Sequence, residues 1–255
     1  MIRPRLIALA TALAMAGTFG GAALAQSFTP QQRSEIEKIV KEYLIAHPEV
    51  LQEVVAEIEK RQTDAQSAKQ QTAVSTHAAA LFNSKHQVVL GNPKGDVTLV
   101  EFFDYNCGYC KRALADMMGL LEADKNLRVV LKEFPVLGEA SVQAAQVAVA
   151  VHMQDTSGKK YLDFHRKLLQ SRGRADRAKA MAVAKEVGLD TDRIERDSKS
   201  PEVRATLEEV FKLAQELGLN GTPSYVVGSD VVIGAVGAAA LKEKISKARC
   251  GKPTC

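Results

Sequence analysis

Residues 101–113 read EFFDYNCGYCKRA. Two cysteines, Cys107 and Cys110, stand two residues apart. Such a pair can clamp a metal, staple a loop or exchange disulfides, and its surroundings decide among these. The run DVTLVEFF (96–103) before it and the run LRVVLKEF (127–134) after it are rich in β-branched and aromatic residues, the mark of strands. Between them a helix is expected from about Gly108 to Ala123. The order strand, Cys-x-x-Cys, helix, strand reads as a βαβ unit with a parallel strand pair. The cysteines then open the helix.

That position favours redox chemistry. The first turn of a helix offers unpaired N–H groups and the positive end of the dipole, and both stabilise a thiolate. Cys107 is the expected exposed nucleophile, and Cys110, one turn on, the more buried resolving thiol. A structural zinc site needs two more ligands. His152, His165, Cys250 and Cys255 do not stand at the usual spacing, so no metal is expected. A mere staple needs no strand-to-helix turn. A reduced thiol pair does suit Cu(I), so a copper-binding, copper-tolerance protein is the alternative from a different functional class.

Working outward, the chain of 255 residues opens with Arg3 and Arg5, continues in an uncharged apolar run and reaches Ala23-Leu24-Ala25. This reads as a secretory signal peptide over 1–25, cleaved after Ala25 and directing the protein to a bacterial periplasm. A retained membrane anchor is the competing reading. Without the two basic residues of the leader, 32 Lys and Arg face 30 Asp and Glu, so the mature net charge is near +2. That is too mild to imply nucleic acid or an anionic membrane. Tryptophan is absent.

Residues 26–73 read as a helical segment ahead of the main domain. Thr29 is a candidate N-cap with Pro30 at the first helical position, and His47-Pro48 breaks the run into two amphipathic helices. Their apolar stripes, Ile36, Ile39, Val40, Tyr43 and Leu44, then Val50, Leu51, Val54, Val55 and Ile58, need a partner. That partner is either the main domain or other copies of the chain. The polar tail from Lys60 to Gln71 is expected to separate these helices from the domain over 74–255.

Residues 138–218 carry helical patterns only, at about 139–153, 158–171, 175–187, 190–198 and 201–217, punctuated by Gly158, Gly173, Gly188 and Pro201. Strand signals return in PSYVVG and VVIG, around a hairpin expected at Ser229-Asp230, and a last helix is expected from about 237 to 248. The fold class is therefore α/β, with an all-helical insertion between a βαβ half and a ββα half. Cys250 and Cys255, around Gly251 and Pro253, suit a small structural disulfide. The five histidines show no partner pattern and read as surface or satisfied core residues.

With the leader, the insertion and GTPSYVVG, the EFFDYNCGYCK stretch resembles the DsbA-like periplasmic thiol–disulfide oxidoreductases of the thioredoxin superfamily. Within them it is similar to the ScsC-like branch, which carries an N-terminal oligomerisation segment. The resemblance implies a thioredoxin-like fold over about 80–248 and a cis-proline at Pro223, preceded by Thr222, where a substrate strand pairs with the backbone. It also implies that Glu101, inside an apolar strand, moves the proton of Cys110, in partnership with Lys132. Gly108 and Tyr109 tune the redox poise. Cys-Gly-Tyr-Cys with threonine before the proline is similar to the disulfide isomerase DsbC, whose catalytic faces share a cleft in an oligomer. The expected function is thiol–disulfide exchange on exported proteins with cysteines, as an isomerase or reductase. A net dithiol oxidase is the second reading. Neither needs a cofactor beyond the Cys107-Cys110 pair, and both imply a membrane redox partner of DsbB or DsbD type.

Overall fold

The computed structural model describes residues 28–85 and 87–255, so the expected leader lies outside the described residues. The chain divides into two compact units between Ile58 and Glu59. In the first, helix α1 (Pro30–Ala46) begins with a capping box. The Thr29 hydroxyl accepts from the Gln32 N–H, and the Gln32 side chain accepts from the Thr29 N–H. No residue of α1 is buried. Its apolar stripe is open to solvent, with Ile39 64% and Tyr43 53% exposed, and it continues in Leu51, Val54, Val55 and Ile58 at the start of α2 (Pro48–Thr76).

The boundary expected at 73/74 falls earlier, because the tail of α2 is packed rather than free. The polar run after Lys60 stays helical to Thr76. Gln70 donates to the carbonyl of Leu217, and Val74 is buried against the second unit's core. A polar face does not by itself stop a helix; Gly or Pro would, and neither occurs between Pro48 and Thr76.

The second unit holds one sheet in the order β1-β3-β2-β4-β5. Strands β2 (Val97–Phe103) and β3 (Leu127–Glu133) are parallel at its centre, joined through α4 (Gly108–Ala123). Both are covered on both faces, which is why they read as near-continuous apolar runs. β1 (Val88–Gly91) adds antiparallel to β3, while β4 (Ser224–Val227) and β5 (Asp230–Ile233) extend the other side as a hairpin. The hairpin turn is Gly228-Ser229, one residue before the expected Ser229-Asp230. Gly228 takes φ +58, the left-handed conformation a tight hairpin needs.

The sequence reading missed α3 (Ala78–Asn83) and β1, elements of six and four residues, too short for a period to declare itself. Between β3 and β4 come only helices: α5 (Glu139–Gln154), α6 (Lys159–Gln170), α7 (Arg177–Glu186), α8 (Thr191–Asp197) and α9 (Pro201–Glu216). Helix α10 (Gly237–Cys250) closes the fold. One core joins Leu99, Phe103 and Tyr225 to Leu114 and Met117 of α4, Leu241 and Ile245 of α10, and the buried sides of α5–α8. On the other face Val100, Phe102, Val130 and Val226 pack with Leu81 of α3 and Val210 and Leu213 of α9.

Candidate active site around Cys107 and Cys110

The C-terminal ends of β2 and β3 and the N-terminal end of the antiparallel β4 meet at one edge of the sheet. There the chain leaves β2, turns through Asp104–Asn106 and enters α4 with Cys107 as its N-cap in extended conformation. Cys107 Sγ donates to the carbonyl of Thr222 at 3.1 Å. The Thr222–Pro223 peptide bond is cis. The structure therefore brings Cys107, Cys110, Thr222 and Pro223 together, although Cys107 and Thr222 are 115 residues apart in the chain.

Both cysteines are free thiols. Cys107, expected exposed, is 6% exposed and Cys110 only 1%, so the order of accessibility holds but Cys107 is itself largely covered. Tyr109 stands 59% exposed beside it, with the Arg112 guanidinium 4.4 Å from its ring centre. Gly108 is exposed as well. Burial pushes the Cys110 thiol far up, against the opposing pull of a hydrogen bond from the Asp104 backbone. Cys110 is thus held as a neutral thiol.

Glu101 is 4% exposed, and burial, helped by the charge of Asp116, pushes its carboxyl up to about 8. It stands near Cys110 and opposite Tyr225. The expected partnership with Lys132 does not exist. In the parallel register Lys132 pairs with Phe102 and Glu101 with Leu131, so their side chains leave opposite faces of the sheet. Lys132 instead donates to the Ala80 carbonyl at 2.6 Å and to Gln87 Oε1 at 3.1 Å, with Glu209 at 3.9 Å. Its own burial pulls it down to about 8.

Two polar groups beside the cysteines escaped the sequence reading. In the first, Asp104 Oδ1 accepts from the Asn106 N–H (2.7 Å) and from Ser141 Oγ (2.8 Å), while Oδ2 accepts from the Leu137 N–H (3.0 Å). In the second, Tyr161 and Tyr105 donate to Glu133 Oε1 at 2.8 and 3.3 Å, and Tyr105 also meets His165 Nδ1 at 3.2 Å. Burial raises Glu133 well above the usual carboxylate range, against the pull of the two tyrosine hydrogen bonds, and pushes His165 down to about 3, so the imidazole is neutral. His165 is thus a satisfied core histidine; His86 lies outside the described residues. The only available signal was the run Asp104-Tyr105-Asn106 itself, three polar side chains where an apolar strand enters a helix.

Cys250, the last residue of α10, is disulfide-bonded to Cys255. Among the described residues, no group of three or more His, Cys, Asp or Glu is placed to hold a metal ion, and no helix is long and apolar enough to cross a membrane.

The model of the DSBA-like thioredoxin domain matches residues 98–246, and that of the copper resistance protein ScsC N-terminal domain matches 32–65. A thioredoxin-like oxidoreductase from Silicibacter pomeroyi DSS-3 is 47% identical, with a TM-score of 0.64 over 67% of this chain and 96% of that one. Proteus mirabilis ScsC is 26% identical, with a TM-score of 0.64 over 88% and 98%. The thiol-disulfide exchange protein α-DsbA2 from Wolbachia pipientis is 26% identical, with a TM-score of 0.66 over 72% and 97%. Two curated relatives are named as Na(+)/H(+) antiporters NhaA, from Salinispora arenicola and Herminiimonas arsenicoxydans. Each is 26% identical over about two thirds of this chain, which spans only about a quarter of their length.

Proposed function

Since the chain belongs to the DSBA-like thioredoxin domain family, we propose that it exchanges disulfides on exported proteins in the periplasm through Cys107 and Cys110, acting first as a disulfide isomerase or reductase. The observation that carries this reading is the placement of Cys107, N-cap of α4, with its sulfur 3.1 Å from the Thr222 carbonyl and Cys110 buried in the following turn.

The Cys107 thiolate attacks one sulfur of a substrate disulfide. A mixed disulfide forms, and the other substrate sulfur leaves as a thiolate. For isomerisation that thiolate attacks another disulfide of the substrate, and a substrate sulfur finally displaces Cys107 unchanged. For reduction Cys110 gives up its proton and attacks Cys107. The second substrate thiolate is released, and two electrons have passed from the protein dithiol to the substrate. Glu101, buried near Cys110, is the proposed acceptor of that proton in its carboxylate form, which is the minority form below about pH 8. Thr222, Pro223 and the exposed Gly108 and Tyr109 form the surface against which a substrate strand lies. No further cofactor is needed, and a membrane partner of DsbB or DsbD type resets the pair.

The isomerase reading rests on the Cys-Gly-Tyr-Cys sequence and on the exposed apolar stripe of the first unit, which lies within the segment matched by the ScsC N-terminal model. We assign that stripe to self-association, which sets several catalytic faces around one substrate. The deciding experiment compares recovery of activity by a substrate with scrambled disulfides against oxidation of a reduced dithiol peptide. Preferential recovery supports isomerase. Preferential oxidation identifies a net oxidase, and neither activity overturns the exchange reading.

A further inference from the structure

The three residues before the nucleophile are each held by the helical insertion. Asp104 accepts from Ser141 of α5. Tyr105 bonds to Tyr161 and His165 of α6. Asn106 reaches furthest. Its Nδ2 donates to the carbonyl of Ala175 (2.9 Å) and to Ser141 Oγ (3.0 Å), while its Oδ1 accepts from the N–H of Ala175 (2.8 Å). Both amide hydrogens and the amide oxygen are therefore used, and the side chain pairs with a backbone segment 69 residues away as one strand pairs with another. Ser141 closes the loop, accepting from Asn106 and donating to Asp104, which in turn takes the Asn106 backbone N–H. Asp104 and Ser141 are each 1% exposed, so the network works in a low dielectric, where each bond is worth most and each loss costs most.

A turn that leads into a helix is otherwise loosely held, because its backbone N–H groups have no ladder. Here the Cys107 N–H itself donates to the Asp104 carbonyl at 3.1 Å. The position of the Cys107 sulfur over the first turn of α4, and against Thr222, thus depends on where Asp104 and Asn106 are fixed.

We propose that Asn106, clasped by Ala175 and Ser141, is a positioning residue for the nucleophile, so that the helical insertion forms part of the redox centre rather than a cover beside it. The clasp holds Cys107 at the N-terminal end of α4 and against the Thr222 carbonyl, a placement that favours the reduced protein and makes the pair a stronger oxidant. The proposal rests on Cys107 being the nucleophile.

The test uses the whole reduced chain and two readouts: the rate of Cys107 alkylation by iodoacetamide at neutral pH, and the equilibrium constant with glutathione. In Asn106→Ala the alkylation rate falls about threefold or more and the equilibrium moves about threefold or more toward the oxidised protein, the scale of one or two lost hydrogen bonds. A folded Asn106→Ala with both constants unchanged overturns the proposal. Ser141→Ala carries the same test should Asn106→Ala not fold. It shifts both constants in the same direction and Ser141→Thr, which keeps the hydroxyl, restores them; unchanged constants in Ser141→Ala overturn the proposal. Cys107→Ala separates the two levels. If it keeps the wild-type alkylation rate, the assignment of the nucleophile fails instead.

Discussion

Glu101 stands directly opposite Tyr225 in the antiparallel register of β2 and β4, and this places its carboxyl on the face of the sheet that α4 covers, beside Cys110. No lysine shares that position, since Lys132 leaves the other face. A carboxyl enclosed in this way is neutral over most of the physiological range.

The sign of its effect on stability follows. Glu101 titrates near 4.5 in an unfolded chain and near 8 in the folded one. The folded state therefore binds the extra proton, and stability is lost as pH rises through this window. Glu101→Gln removes that dependence. Urea unfolding should show the variant equal to wild type at about pH 4 and more stable by up to about 4 kcal/mol near pH 7.5. Equal stabilities at both pH values would place Glu101 in water.

The same substitution separates stability from chemistry. If Glu101 takes the proton of Cys110, Glu101→Gln slows resolution of a preformed mixed disulfide by about tenfold or more while leaving formation of that disulfide near wild type. Rapid-mixing kinetics with a quenched peptide disulfide would read both steps. Equal slowing of both would argue against a relay to Cys110.

Cys107→Ala should abolish exchange altogether. Cys110→Ala should retain attack but lose the reductive release, and with a substrate that has no further thiol of its own accumulate a mixed disulfide that survives non-reducing electrophoresis. A Cys107→Ala protein with full activity would remove the basis of the proposed function.

The exposed stripe of α1 and early α2 predicts a change in mass. By light scattering the chain from Gln26 should be an oligomer, and a chain beginning at Glu59, where the compact unit with the cysteines starts, a monomer. The shortened form should keep dithiol oxidation and lose most recovery of scrambled substrates. If both forms are monomers, the shared-cleft reading fails and the oxidase becomes the better description.

The Cys250–Cys255 bridge closes a short loop beyond α10, whose end is already tied by Arg249 to Asp96 and Asp124. Replacing both cysteines by serine should cost about 2 kcal/mol or less in urea unfolding and leave exchange rates unchanged. A loss of exchange would show a second redox step.

The central βαβ unit could be read from the chain because its evidence is local. Two apolar runs, a cysteine pair at a strand-to-helix turn and a helical period each lie within a few consecutive residues. The helices of the insertion fall within two residues of their expected ends, since Gly and Pro punctuate them. The placement of Cys107 and Cys110 at the start of α4 was legible for the same reason, since the strand, the pair and the helix follow one another directly.

What the sequence could not show was which side chains the tertiary packing brings together. Whether Glu101 meets Lys132 or Tyr225 depends on strand register, and a shift of one residue changes the face. The second half of α2 carries the pattern of a polar spacer, but its Gln70 and Val74 find their partners only once α9 and α3 are in place. Asn106 gives no periodic signal at all, and its partners Ser141 and Ala175 lie 35 and 69 residues further on. By itself the sequence determined the longer elements and the cysteine pair at the strand-to-helix turn, because these follow from propensity and period along the chain. Only the tertiary structure decided how that pair is held, because a hydrogen bond between distant residues exists only after the intervening chain has packed.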